Sequence, residues 1–154
     1  MPTSPPPGYH SITAYLVVSD ARAAIDFYKR AFNAEEVMLL STKDGKVAHA
    51  EIKIGDSPIM LADEWPEWGA LSPKTLGGSA TSLMLYVEDC DRVFDQAINA
   101  GAEVFMPVAD QFYGDRSGQV TDPFGHKWTI STNIETLSGE EITQRMADWE
   151  KENA

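Results

Sequence analysis

Two side chains that can do acid–base chemistry, His49 and Glu51, lie two residues apart in the segment from Val47 to Ile54. Polar and apolar residues alternate in this segment, which predicts a β-strand, so both side chains point to the same side of it. An imidazole beside a carboxylate can act as a general-base pair or supply two ligands to a non-standard metal site. The alternative is that His49 is a hydrogen-bonded wall residue that shapes a pocket.

Arg116 is the cation placed to bind an acidic group. It ends the motif Tyr113-Gly114-Asp115-Arg116. A guanidinium can hold a carboxylate or a phosphonate through two parallel hydrogen bonds; alternatively, Arg116 forms an ion pair with Asp115 or another acid and fixes the loop. Because an unpaired carboxylate in an apolar cavity is costly, a buried Glu51 needs a partner, either Arg116 or a cationic or hydroxyl-bearing ligand.

Four aromatic residues lie in segments predicted to be loops: Trp65, Trp68, Phe112 and Tyr113. Aromatic side chains over the mouth of an open cavity can sandwich a flat organic ligand. The alternative is that they fill the core, as scattered aromatic residues ordinarily do. His126 follows a tight turn, where an imidazole is usually solvated or bonded to backbone groups.

The elements that must position these side chains come from a repeated unit. One copy runs from Val17 to Val37 and the other from Tyr86 to Val104. Each begins with an apolar strand end, continues with an acid that can cap a helix, and then places apolar residues at helical spacing. Each ends in a short link of small residues that suits the end of a helix. The matching order favours duplication of one module within a single domain.

Both copies show the order strand, helix and three strands, which predicts an α+β fold of two tandem βαβββ modules. A single domain is expected over residues 10–135, with modules at about 10–63 and 80–132 and a linker between them. Residues 1–9 form a Pro-rich leader that is expected to be flexible. The predicted helices and strands are His10–Val18, Asp20–Phe32, Glu36–Ser41, Val47–Ile54, Pro58–Ala62, Thr81–Val87, Asp89–Ala100, Glu103–Pro107, Arg116–Thr121 and Lys127–Thr132.

Residues 136–154 are predicted to form a C-terminal helix. Ser138 and Glu141 fit a capping box at its start. An apolar stripe on one face of this helix is expected to cover the sheet or a partner subunit. Its residues are Ile142, Met146 and Trp149.

The composition argues against several classes of partner. The 154 residues, 43% of them hydrophobic, suffice for one domain with a sizeable core. The formal net charge of −12 makes nucleic acid or an anionic membrane surface an unexpected partner. No apolar run approaches the length of a membrane span. The single Cys90 cannot form an internal disulfide, and a cytoplasmic location is expected.

A series of short motifs from about His10 to Thr132 points to one family. They are YLVV (15–18), AIDFY (24–28), HAE (49–51), IGDS (54–57), YGDR (113–116) and DPFGHKW (122–128). In this order they resemble the vicinal-oxygen-chelate superfamily, which includes glyoxalase I, bleomycin-resistance proteins and extradiol dioxygenases, and within it the PhnB-like branch. The resemblance implies two open, cupped β-sheets with a ligand cavity inside, and a homodimer.

Metal-dependent members of that superfamily hold a divalent ion with one inward-facing residue on each of four strands, usually His or Glu. The resemblance places these positions at Thr13, Ser82 and Thr129, with Glu51 on the third strand. Neutral hydroxyls are poor ligands for zinc, nickel or iron(II), and one carboxylate rarely holds such an ion. The usual metal site is therefore not expected and no cofactor is predicted. A divalent metal is disfavoured, and Glu51 would be its one conventional ligand.

The sequence thus predicts a protein that binds a small organic molecule in the β-cup without the four-ligand metal. The alternative is a lyase, isomerase or dioxygenase with a site remodelled around the catalytic candidates His49 and Glu51. A third interpretation, a structural or interaction module, predicts a cup filled by its own side chains. The expected ligand-binding residues are Thr13, Tyr15, Ser82, Met84, Tyr113, Arg116, Trp128 and Thr129.

Overall fold

The computed structural model describes residue 2 and residues 4–154; Met1 and Thr3 of the predicted leader lie outside the described residues. The elements alternate along the chain as the repeat predicts, with a short 3₁₀ turn at Pro66–Trp68 before α2. Their bounds are β1 (Tyr15–Val18), α1 (Ala21–Phe32), β2 (Glu35–Ser41), β3 (Val47–Ile54), β4 (Ser57–Asp63), α2 (Pro73–Leu76), β5 (Ser82–Tyr86), α3 (Cys90–Ala100), β6 (Glu103–Asp110), β7 (Asp115–Thr121), β8 (Lys127–Asn133) and α4 (Gly139–Glu152).

The first module builds a four-stranded sheet against α1. Asp20 accepts a hydrogen bond from the backbone N–H of Ala23 and caps the helix, and Asn33 ends it in the left-handed region at φ 57°. The strand order is β1-β4-β3-β2, with β1 parallel to β4 and the other pairs antiparallel. Alternate residues of β3 are buried in the core with the apolar face of α1. The opposite face of the sheet is therefore left open.

The second module repeats this architecture with the strand order β5-β8-β7-β6 and α3 as its helix. Asp89 caps α3 as Asp20 caps α1. In the sheets, Met84 lies opposite Thr129 just as Tyr15 lies opposite Met60. This shared register confirms the predicted α+β fold of two tandem βαβββ modules with open sheets.

A buried acid and a pair of helices join the modules. Helix α1 packs against α3. Asp122, in the turn between β7 and β8, accepts hydrogen bonds from the hydroxyl of Tyr28 at 2.6 Å and from the indole N–H of Trp128 at 2.9 Å. It also accepts from the backbone N–H groups of Phe124 and His126. Because Tyr28 belongs to the first module, this carboxylate ties the two modules together.

Two strands differ from their predicted bounds by more than one residue at an end. Strand β1 begins at Tyr15, not at His10. Its parallel register with β4 would place Thr13 opposite Pro58, which has no N–H to donate, so the ladder stops there. Strand β6 continues past its predicted end to Asp110, because irregular pairing with β7 lets the strand resume after a bulge.

Helix α4 begins at its predicted capping box. The Ser138 hydroxyl accepts from the N–H of Glu141, whose carboxylate accepts from the N–H of Ser138. Arg145 donates two hydrogen bonds to Glu135, at 2.9 and 2.8 Å, and holds the helix against the end of the second module. Neither α4 nor any other helix of the described residues has the length and apolar character needed to cross a membrane. Two stripe residues stay about half exposed: Met146 and Trp149.

Candidate acid–base and ligand-binding site

Three side chains on the open face of the first sheet form one hydrogen-bonded chain, which we call the Tyr–His–Glu chain. Nδ1 of His49 lies 2.9 Å from the hydroxyl oxygen of Tyr15, and Nε2 lies 2.9 Å from Oε2 of Glu51. The prediction that His49 and Glu51 share one side of their strand is confirmed. An ionised carboxylate only accepts, so Nε2 of a neutral imidazole carries the proton and Nδ1 accepts from the Tyr15 hydroxyl.

Three strands set the geometry of the Tyr–His–Glu chain. Tyr15 lies on β1, whereas His49 and Glu51 lie on β3, with β4 between them. Met60 of β4 is paired with both Tyr15 and Glu51. The rings of Tyr15 and His49 are tilted by 41°, with their centroids 5.5 Å apart. The contact therefore depends on sheet register and not on a loop.

Solvent exposure falls along the Tyr–His–Glu chain. Tyr15 is 49% exposed, whereas the side chains of His49 and Glu51 are 25% and 12% exposed. Partial burial raises the pKa of Tyr15 above its usual value. The phenol therefore stays protonated at neutral pH. The end that meets solvent is a neutral hydroxyl, and the carboxylate lies at the inner end.

The resemblance assigns the superfamily's metal to positions 13, 51, 82 and 129, and the repeat shows which of these positions are equivalent. Thr13 and Ser82 each lie two residues before the equivalent Tyr15 and Met84. Met60 and Thr129 are their equivalent neighbours on β4 and β8. The set of equivalent positions thus contains hydroxyl groups and one thioether, and none of these is a preferred donor for zinc, nickel or iron(II). The superfamily's metal ion does not fit these side chains.

Glu51 is not equivalent to Thr129. Its register partner is Met60, and the matching residue of the second module is Gln119, opposite Thr129. One oxygen of Glu51 is already bonded to His49. In the part of the chain that the structure describes, no group of three or more His, Cys, Asp or Glu is arranged to hold a metal ion.

An open cleft of about 640 Å³ lies between the modules. Residues that precede β1, the turn between β3 and β4, and strand β5 line it. Three of the predicted ligand-binding residues, Thr13, Met84 and Trp128, belong to its wall. The volume falls in the range of roughly 300–1,000 Å³ that small-molecule pockets occupy. The cleft is therefore large enough for an organic ligand.

The open faces of the two sheets stay separate within one chain. Ser82, Met84 and Thr129 lie together on the second sheet, where Met84 and Thr129 are register partners. Met84 is half exposed, whereas Thr129 is buried. Among the described residues, no hydrogen bond connects these side chains with the Tyr–His–Glu chain. The predicted site residues therefore form two groups, one on each module.

Arg116 faces α3 and not the open face of the second sheet. Its guanidinium donates to both carboxylate oxygens of Asp91 at 2.8 and 3.0 Å, and to Asp110 at 2.9 Å. These acids raise the pKa of Arg116, and Arg116 lowers the pKa of Asp91. The structural ion pair, one of the two interpretations of Arg116, describes this geometry, with Asp91 and Asp110 as the partners in place of Asp115.

Trp128 also lies on the helix side. Its ring is buried next to Phe32, with centroids 4.7 Å apart, and its indole N–H bonds to Asp122. Neighbouring residues of a strand face opposite sides, so Trp128 points away from the face that carries Thr129. Trp128 and Arg116 therefore lie off the open face of the second sheet, although Trp128 still borders the cleft between the modules.

The aromatic residues outside the sheets form two clusters. Trp65 stacks on Trp68 with centroids 5.4 Å apart, and Tyr113 packs edge-on against Phe112. Trp68 and Tyr113 remain accessible to a ligand. His126 has Nε2 3.1 Å from a backbone carbonyl oxygen of β1, which indicates a structural role.

The second sheet has a tyrosine–carboxylate pair that the motifs did not indicate. The Tyr86 hydroxyl donates to Asp115 at 2.8 Å, and Asn133 donates to the other oxygen of Asp115 at 2.9 Å. The hydrogen bond to Asp115 raises the pKa of Tyr86. Alternation along β5 was the available signal, because it places Tyr86 on the same face as Met84.

Comparison with known proteins identifies the family. A model of the Glyoxalase/Bleomycin resistance protein/Dioxygenase superfamily matches residues 8–130. This chain belongs to that superfamily. A protein of Mycobacterium tuberculosis strain H37Rv is 39% identical over 140 residues, which cover 89% of this chain and 82% of that protein.

Solved structures share the glyoxalase/bleomycin-resistance fold. The PhnB protein from Bacillus cereus aligns with a TM-score of 0.62 and 21% identity over 80% of this chain and 99% of its own. The fosfomycin resistance protein FosX from Listeria monocytogenes aligns with a TM-score of 0.63 and 18% identity over 85% of this chain and 95% of its own. These identities show the fold alone. The resemblance to the superfamily is confirmed by the family model.

Proposed function

We propose that this superfamily member binds a small organic molecule in the cleft between its modules without the superfamily's four-ligand metal. The cleft of about 640 Å³ between the modules carries the proposal. Thr13 in its wall can hydrogen-bond to a ligand, and Met84 can pack against an apolar ring. These groups suit an organic molecule and are weak donors for a metal ion.

The charge of the protein favours a neutral or cationic ligand. At a formal net charge of −12, the protein repels anions from its surface. Arg116, the cation that was a candidate for binding a carboxylate or phosphonate, is already paired with Asp91 and Asp110. Aromatic amines are therefore the class to test first.

A thermal-shift titration tests this proposal. Tyramine and benzamidine serve as probes, and a ligand at 100 times its Kd stabilises a protein by about 2.7 kcal/mol. We expect Met84→Lys to abolish the shift, because it places a cation in the cleft. Met146→Lys on α4 is the matched control, since that methionine is also about half exposed. Stabilisation by neither probe, nor by any peptide-like compound, would contradict the proposal.

A homodimer is proposed because apolar side chains are exposed on the outer strand of both sheets. They include Met38, Leu40, Val104 and Met106. Light scattering is expected to give twice the chain mass of 16.9 kDa. Leu40→Lys should shift the mass toward one chain, whereas Asp44→Lys in the adjacent turn should leave it unchanged. A wild-type protein that stays monomeric at micromolar concentration would refute this assembly.

The second candidate function is acid–base catalysis of the lyase or isomerase type, and the hydrogen bond of His49 to Glu51 favours it. The dioxygenase alternative would instead require a metal at a remodelled site. Elemental analysis separates these options: stoichiometric iron, nickel or zinc that Glu51→Gln removes would favour metal chemistry. Metal-free protein that turns over a carbonyl compound would favour acid–base catalysis.

We also propose that the protein is located in the cytoplasm. The one cysteine, Cys90, is free and buried, as suits a reducing compartment. Cell fractionation tests it, and recovery in a secreted fraction would contradict it.

A further inference from the structure

We propose that the Tyr15 hydroxyl is the group that exchanges a proton with a bound carbonyl compound, and that His49 and Glu51 are its relay. The inference rests on the second candidate function and changes which residue touches the substrate. Nδ1 of His49 is occupied by Tyr15, and Nε2 is occupied by Glu51. The imidazole has no free nitrogen for a ligand. A proton can therefore leave or enter the Tyr–His–Glu chain only through the oxygen of Tyr15 or the outer oxygen of Glu51.

Exposure decides between these two ends. Tyr15 is 49% exposed, and the Glu51 side chain only 12%. The order of a hydroxyl, an imidazole and an inner carboxylate is the general arrangement by which a base activates a hydroxyl. The raised pKa of Tyr15 disfavours a free phenolate. Loss of the phenolic proton must therefore be coupled to its uptake by His49.

The proton transfer balances without a co-reactant. The Tyr15 oxygen accepts the α-proton of the carbonyl compound while the phenolic proton moves to Nδ1 of His49. The C–H electron pair forms the carbon–carbon double bond, and the carbonyl π pair moves to its oxygen. Glu51 stabilises the imidazolium that forms. Reversal of the transfer protonates either the carbonyl oxygen, which gives the enol, or the α-carbon, which restores the carbonyl compound with an exchanged proton.

The substrate class follows from the charge. The inner carboxylate and the net charge of −12 disfavour an anionic carbonyl compound. A neutral α-hydroxy ketone fits, because its carbonyl acidifies the α-proton and its hydroxyl can bond to an acceptor. Dihydroxyacetone is the probe that meets these conditions.

Exchange of the carbon-bound protons of dihydroxyacetone in D₂O, followed by ¹H NMR, tests the inference. Wild-type protein should exchange them faster than buffer. Tyr15→Phe should lower this rate by on the order of 100-fold or more, or to the buffer rate, the usual range for loss of an acid–base group. Tyr9→Phe, outside both sheets, is the control and should leave the rate unchanged. Equal rates for Tyr15→Phe and wild type, or a wild-type rate equal to buffer, would overturn the inference.

A measurement without substrate separates a relay from a merely structural contact. Long-range ¹H–¹⁵N spectra should show the proton of neutral His49 on Nε2, and Tyr15→Phe should shift the Nδ1 resonance. A wild-type imidazole that carries its proton on Nδ1 would overturn the relay. Thermal shifts with tyramine or benzamidine that persist without exchange would reject the relay and retain ligand binding. Loss of both would reject both proposals.

Discussion

The open faces of the two modules differ at three positions that the repeat makes equivalent. At these positions the first sheet has Tyr15, His49 and Glu51. The second sheet carries Met84, Ser117 and Gln119. A hydrogen-bonded acid–base chain on one side thus corresponds to a thioether, a hydroxyl and an amide on the other. The comparison indicates that the fold constrains which positions face the cup and leaves their chemistry free to diverge.

The joint between the modules is equally asymmetric. The second module supplies Asp122, and the first supplies the phenol of Tyr28 that bonds to it. Position 122 follows the last residue of β7 in the turn to β8, whereas the equivalent turn of the first module has Gly55 and Asp56 exposed. The duplicated turn therefore became a buried anchor in one copy only.

The largest expected effect on stability comes from removing the Asp122 carboxylate that joins the modules. Asp122→Ala should lower the free energy of unfolding by more than about 3 kcal/mol, because it leaves several buried donors without an acceptor. Urea unfolding followed by tryptophan fluorescence measures the loss. Asp56→Ala in the equivalent, exposed turn is the control and should cost little. Similar losses in both variants would mean that the joint is not asymmetric.

Tyr28→Phe removes one of the hydrogen bonds that Asp122 accepts. Loss of a hydrogen bond to a buried carboxylate should cost roughly 1.5–3 kcal/mol. The effect should also depend on pH, since burial and the nearby Asp122 raise the pKa of Tyr28 well above 10. The unfolded chain loses the phenolic proton near pH 10 while the folded protein keeps it, so stability falls as pH rises above that value. Tyr28→Phe should remove this component, and an unchanged alkaline profile would refute it.

The helix-facing sides of the two sheets differ at a position where the second sheet has a glycine. Gly118 on β7 is equivalent to Ala50 on β3, yet a Cβ at position 118 would lie 2.8 Å from both Phe94 and Val108. Gly118→Ala should therefore cost about 1–3 kcal/mol by overpacking. Gly139→Ala, with open space around its Cβ, is the control and should be neutral or slightly stabilising. Equal stability of both variants would show that Phe94 can move aside.

More of the fold than of the candidate site could be predicted from the sequence. Two capping acids, Asp20 and Asp89, and the apolar helix stripes define both modules, because these features act locally along the chain. The ends of strands depend on the partner strand. Pro58 of β4 stops the pairing with β1 before it reaches Thr13, so the prediction from sequence, which lacked this partner, wrongly placed Thr13 inside the strand. The shared face of His49 and Glu51 follows from alternation along one strand.

Contacts between strands account for what the sequence could not give. Tyr15 meets His49 only through the order β1-β4-β3, and Met60 rather than Glu51 matches Thr129 only through register. Arg116 has three acids within reach in sequence or space, and only the packing of α3 selects Asp91. These are long-range facts that a single strand's pattern does not contain.

The smallest expected change in stability tests the open-face comparison most directly. Glu51→Gln gives the first module the side chain that the second has at Gln119. The amide oxygen can still accept from Nε2 of His49, so the free energy of unfolding should change by about 1 kcal/mol or less. The amide cannot neutralise an imidazolium, so proton exchange on dihydroxyacetone should fall sharply while the fold persists. Exchange that survives this substitution would mean that the inner carboxylate does not distinguish the first face from the second.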